Sequence, residues 1–147
     1  MPRVEVETLV QASAADVYAA LSDMERCPDH MADIQSVTVV ERGAGYTVTD
    51  WVAKLRGVTV RWRERDEFLP GRIQYEQIAG DLKKFAGEWR IEAVGPDVVR
   101  VSLVTEFEFG VPMLAALLNP IGAYVLRDNA RSMLAAVGAL VDAGASG

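Results

Sequence analysis

Near the start of the chain Val4, Val6, Thr8 and Val10 alternate with Arg3, Glu5, Glu7 and Leu9, a period of two that predicts a half-buried strand. Ser13 with Asp16 three residues later has the form of a helix N-terminal cap, and Val17, Tyr18 and Leu21 then share one helical face. A short helix is expected there, closing near Ser22 and Asp23. Pro28, within residues 25–31, suits a first helical position and predicts a second short helix or turn. From Ser36 onward Gly and Pro punctuate the chain at 42–45, 56–57, 70–71, 80–81 and 95–97, turn signals that divide it into six antiparallel strands. Beyond Pro112 the period changes. Met113, Leu114, Leu117, Leu118, Ile121, Val125, Met133, Leu134, Val137 and Leu140 predict a long amphipathic helix, which Pro120 should kink or divide after Leu118. The expected fold class is α+β: a seven-stranded curved antiparallel sheet wrapped around a long C-terminal helix, with two short helices after strand one. Such a sheet encloses a cavity.

Turn chemistry sets the register and with it the face of each side chain. A two-residue loop at Arg56 and Gly57 places Leu55 opposite Val58, Ala53 opposite Val60, Trp51 opposite Trp62 and Thr49 opposite Glu64. The other face then carries Asp50 opposite Arg63, an ion pair that belongs in water, so the first face is the inner one. A turn at Pro70 and Gly71 likewise turns Phe68 with Ile73, Asp66 with Tyr75 and Glu64 with Gln77 inward, and Arg65 with Glu76 outward. Phe85, Gly87, Trp89 and Ile91 follow on the inner face, with Val99, Val101, Leu103, Thr105, Phe107 and Phe109. The inner surface is therefore apolar apart from Glu64, Asp66, Tyr75 and Gln77, with Thr47 and Thr49 nearby. Two readings of the carboxyls stay open: hydrated groups at an open rim, or desolvated groups with raised pKa. The tryptophans are equally core filler or a ligand platform.

The chain of 147 residues fits a single domain over 1–147, with 143–147 expected as a frayed tail. Half of its residues are hydrophobic and 24% charged, enough to build a core. A net charge of -6 opposes nucleic-acid contact, and no nucleic-acid partner is expected. One cysteine, Cys27, and one histidine, His30, leave no internal disulfide and no basis for a metal site, and no cofactor is expected. Cys27 is expected as a buried structural thiol and His30 as a loop histidine. No apolar run approaches a membrane span and the N-terminus lacks a signal-peptide pattern, so no stable membrane insertion and a cytoplasmic location are expected.

Three segments carry a family resemblance: WRERDEF at 62–68, GDLKKFAGEW at 80–89 and EFEFGVP at 106–112. Together they resemble the START-like (helix-grip, SRPBCC) superfamily, in particular its polyketide cyclase/dehydrase and coenzyme Q-binding START branch. The resemblance implies a deep hydrophobic cavity between sheet and long helix that holds a polyketide, a quinone or a lipid. It also implies, for aromatase-type members, an inward arginine on the strand equivalent to 62–66. This chain departs there, since Arg61, Arg63 and Arg65 are expected to face outward.

The candidate catalytic residues are accordingly Glu64 and Tyr75, and the candidate ligand-binding residues are Trp51, Trp62, Gln77, Trp89, Phe107, Leu117, Ile121 and Tyr124. The expected function is binding of a hydrophobic, polyketide-like or aromatic molecule, with polyketide cyclase or dehydratase chemistry at Glu64. The alternative is a non-catalytic quinone or lipid carrier. A third reading, an interaction module like the ribosome-associated relatives of the superfamily, is disfavoured by the acidic balance. The chain is expected to act as a monomer or homodimer.

Overall fold

The computed structural model describes residues 3–55, 57–109 and 119–146, with side chains left undescribed for 109, 119–126 and 142–146. Strand β1 (Arg3–Val10) is followed by helix α1 (Ala14–Ser22), a single 3-10 turn (Met24–Arg26) and the one-turn helix α2 (Cys27–His30). Six strands come next: β2 (Ile34–Gly43), β3 (Tyr46–Leu55), β4 (Val58–Leu69), β5 (Arg72–Gly80), β6 (Leu82–Gly95) and β7 (Val98–Phe109). Helix α3 (Asn119–Ser146) closes the described chain. All strand pairs are antiparallel in the order β1-β7-β6-β5-β4-β3-β2, so the first strand returns to pair with the last. This is the helix-grip arrangement, with α3 laid on the inner face of the sheet.

The turns behave as their residues require. Gly57 and Gly71 adopt φ of 81° and 70°, values that favour glycine, and the strands beside them pair in the expected register. Thr49 stands opposite Glu64, Trp51 opposite Trp62, and Asp66 opposite Tyr75. The α1 cap forms as well, the Asp16 N–H donating to Ser13 Oγ at 3.1 Å. A bulge in β5 opposite Arg63 and Glu64 turns the extra residue Ile78 outward, 56% exposed, and helps bend the sheet.

The described part of α3 starts at Asn119 with Pro120 second, and the expected kink or division after Leu118 falls on residues 110–118, outside the described residues. At the other end the helix continues through Ser146, across most of the segment expected as a frayed tail. Its buried residues Ala130, Met133, Leu134, Val137, Leu140 and Val141 join the core formed with the sheet and α1.

The junction of β5 and β6 also departs from the expected tight hairpin. The two strands pair only from Arg72 with Arg90 to Glu76 with Ala86. Beyond that point β5 stays with β4, where Gly80 pairs with Trp62, while β6 follows β7. Asp81 explains the divergence. Its carboxylate accepts from the Arg61 N–H at 2.9 Å and its own N–H donates to the Arg61 carbonyl at 2.9 Å, extending the β4 ladder. Gly80 is needed beside it, because a Cβ there would lie 2.6 Å from Trp62 Cα. Gln77 spans the gap, donating from Nε2 to the Leu82 carbonyl at 2.7 Å.

Candidate functional site

Alternation along β4 puts Trp62, Glu64 and Asp66 on the inner face, while Arg61, Arg63 and Arg65 are exposed. Arg63 makes a forked pair with Asp50 at 2.6 and 3.0 Å, and the Arg65 guanidinium lies 3.9 Å from the centre of the Tyr46 ring. The strand's cations are thus committed outside the sheet. Glu64 is 3% and Asp66 0% exposed, which rules out hydrated carboxyls at an open rim.

Each carboxyl has defined donors. Trp62 Nε1 donates to Glu64 Oε1 at 2.7 Å. Thr47 and Thr49 donate to Asp66 Oδ2 at 2.9 and 2.7 Å, and the Trp51 Nε1 donates in turn to Thr49 Oγ1 at 2.8 Å. Asp66 Oδ1 is buried with no donor while both carboxyls are ionised. Burial, followed by the hydrogen bond and charge of Asp66, raises the Glu64 pKa well above the ordinary carboxylate value, and the Trp62 N–H only partly opposes this. The proton on Glu64 is held in a hydrogen bond to Asp66.

Glu64 opens onto a cavity of about 40 Å³ between sheet and helix, walled by five aromatic residues: Trp51, Trp62, Tyr75, Phe85 and Trp89. Ile34, Leu103 and Thr105 complete the sheet side, and Asn129, Ala130 and Met133 the helix side. Asn129 also reaches Asp33 in the loop before β2, 3.4 Å from Nδ2 to Oδ2. This volume takes only a few water-sized groups, far below the ~300 Å³ of a typical ligand pocket, so a ring-sized ligand requires the wall to move.

Tyr75 is fixed. Its hydroxyl lies 2.6 Å from Thr105 Oγ1 and donates to the Val104 carbonyl at 3.1 Å, passing over Gly87, where a Cβ would sit 2.6 Å from that hydroxyl. Burial pushes its phenol pKa further up, so it serves as a neutral hydrogen-bonding group and not as a base. Cys27 is buried, and burial, with smaller contributions from Glu64 and Asp23, pushes its thiol up to about 12. That is an inert thiol, as expected.

Of the residues singled out from the sequence, Glu64, Tyr75, Trp51, Trp62 and Trp89 meet around the cavity. Two others turn inward without being among its described walls. Phe107 is 0% exposed within the core, and Gln77 is occupied at the β5–β6 divergence, its Oε1 buried there without a partner. Leu117 lies outside the described residues, and Ile121 and Tyr124 lie where side chains are not described. Asn129, Ala130 and Met133 were not singled out for the site, although their spacing of one and three residues puts them on one helical face.

A family profile described as polyketide cyclase / dehydrase and lipid transport matches residues 10–134. The chain belongs to this family. Among solved structures it is similar to TTHA0849 from Thermus thermophilus, at 28% identity and a TM-score of 0.91 over 99% of this chain and 100% of the other. It also superposes on the Zhui aromatase/cyclase from Streptomyces sp. R1128 with a TM-score of 0.84, covering 96% of this chain and 93% of the other. At 24% identity that second likeness concerns the fold alone. Among curated relatives it is 24% identical to the ribosome association toxin RatA of Vibrio cholerae over 115 residues, 78% of this chain and 80% of that protein. No helix among the described residues is long and apolar enough to cross a membrane.

Proposed function

We propose that this protein binds an apolar, aromatic or polyketide-like molecule between the sheet and α3, and that Glu64 moves a proton on it in a cyclase or dehydratase reaction. Membership of the polyketide cyclase / dehydrase and lipid transport family supports the hydrophobic ligand. The single observation behind the catalytic part is the buried Glu64, next to the buried Asp66 on β4, opening onto an aromatic cavity. In its carboxyl form Glu64 donates a proton to a ligand carbonyl oxygen, and as a carboxylate it recovers one from a carbon next to a second carbonyl. Trp51, Trp62 and Trp89 hold the ring system, and the ring of Tyr75 adds a further aromatic wall. The site needs no metal or cofactor for this chemistry, and a cytoplasmic monomer or homodimer suffices.

Replacing Glu64 by Gln tests the reading, because Gln keeps the shape and the hydrogen bonds but cannot titrate. Glu64→Gln is expected to fold, retain ligand and lose turnover of a poly-β-keto substrate. Undiminished turnover would remove the catalytic role. A second reading, a quinone or lipid carrier without catalysis, is favoured by the commitment of the Tyr75 hydroxyl to Val104 and Thr105, which leaves Glu64 without an obvious partner acid. It predicts ligand exchange with vesicles that Glu64→Gln leaves unchanged.

A further inference from the structure

Glu64 and Asp66 are both buried, and a negative charge held there without a partner is costly. Among the described residues no cation pairs with Glu64 or Asp66, since the arginines of β4 are engaged or exposed on the far face of the sheet. Glu64 lines a cavity whose walls include five aromatic residues, with the rings of Trp62 and Phe85 centred 5.2 Å apart and those of Tyr75 and Phe85 5.5 Å apart. A buried carboxyl on the cavity wall with no cationic partner and a wall of aromatic rings are two features that favour an organic cation.

We propose that the ligand of this cavity is an aromatic or otherwise apolar molecule bearing a protonated amine, with its ammonium group donating to Glu64, the carboxyl that lines the cavity, and its ring body among Trp51, Trp62 and Phe85. The proposal rests on the reading that ligands bind in this cavity, and adds the charge they carry. An ammonium neutralises the carboxylate and brings three charged N–H donors, where an alcohol has one neutral donor and a ketone none. A carboxylate ligand meets only repulsion there. The cavity is thereby selective among molecules of one shape by the charge of a single substituent.

Benzylammonium, benzyl alcohol and benzoate share a ring and differ in that substituent. Their binding is read from tryptophan fluorescence near neutral pH, at about 0.5 M salt to screen the acidic surface while leaving a buried pair little affected. The expected result is benzylammonium binding about tenfold or more tighter than benzyl alcohol, with benzoate weakest. In the double variant Glu64→Gln/Asp66→Asn, isosteric and uncharged, that preference should collapse to near unity. Equal or weaker binding of the amine in the unmodified protein overturns the proposal and leaves cavity binding standing, whatever the folding of the variant. A preference that survives in a folded double variant also overturns it. Failure of all three probes to bind overturns both the proposal and the cavity reading.

Discussion

Trp51 and Trp62 stand opposite one another on β3 and β4 with ring centroids 5.7 Å apart and planes 9° from parallel, and each serves a different carboxyl. Trp62 donates to Glu64 directly, whereas Trp51 acts on Asp66 through the Thr49 hydroxyl. Thr49 is therefore the joint of a buried network and not filler. Thr49→Val, nearly isosteric, orphans the Trp51 N–H and removes one of the two hydroxyls on Asp66. A loss of about 1–3 kcal/mol is expected in urea unfolding. The exposed Thr59→Val on the neighbouring strand is the control and should change stability by no more than about 0.5 kcal/mol.

Gly87 has a different reason to be small. A Cβ at this position would collide with the Val104 carbonyl and approach the Tyr75 hydroxyl to 2.6 Å, so the strand leaves a gap through which Tyr75 reaches β7. Both obstacles are fixed parts of the sheet, and backbone cannot swing aside. Gly87→Ala is expected to cost about 1–3 kcal/mol and to lower the melting temperature, in contrast to the usual gain on replacing glycine within a strand. Unchanged melting would show that β6 can shift at little cost.

The facing of β3, β4 and β5 was legible because two-residue turns admit few registers, and a register assigns every side chain to a face. That is why Glu64 and Asp66 could be placed inward from the sequence. The divergence of β5 from β6 was not legible, because Gly80 and Asp81 have the composition of a hairpin turn and only the contacts with Arg61 and Trp62 reveal their other use. Facing inward also does not decide between cavity wall and core. Phe107 and Gln77 point the expected way, yet the depth of each along the sheet takes it away from the described wall. The helix side of the site, Asn129, Ala130 and Met133, depends on where α3 lands on the sheet, which periodicity within the helix does not specify.

Cys27 offers a test of burial around the site. With its thiol held at about 12, chiefly by burial, the reactive thiolate is scarce near pH 8. Alkylation by iodoacetamide should run on the order of a thousandfold slower in the native protein than in urea. Because burial outranks the charge of Glu64 among the causes, Glu64→Gln should leave the thiol protected. Rapid native labelling would mean that α2 opens the site to solvent.

Glu64 itself should write a slope into the pH dependence of stability. Its native pKa lies above the ordinary value of 4.5 because burial and Asp66 disfavour the charged form. Between those two values the native state holds more protons than the unfolded chain, so raising the pH favours unfolding. Stability contributed by the protonated carboxyl is full below about pH 4.5 and declines as pH climbs toward the raised native value, beyond which the decline levels off. In Glu64→Gln the side chain stays neutral at every pH, its amide donating where the carboxyl proton did. That variant should match the unmodified protein near pH 5 and exceed it near pH 8, in urea unfolding followed by tryptophan fluorescence. Parallel pH profiles for the two proteins would show that Glu64 ionises in the folded state without penalty, and the proton available for chemistry in this cavity would have to come from elsewhere.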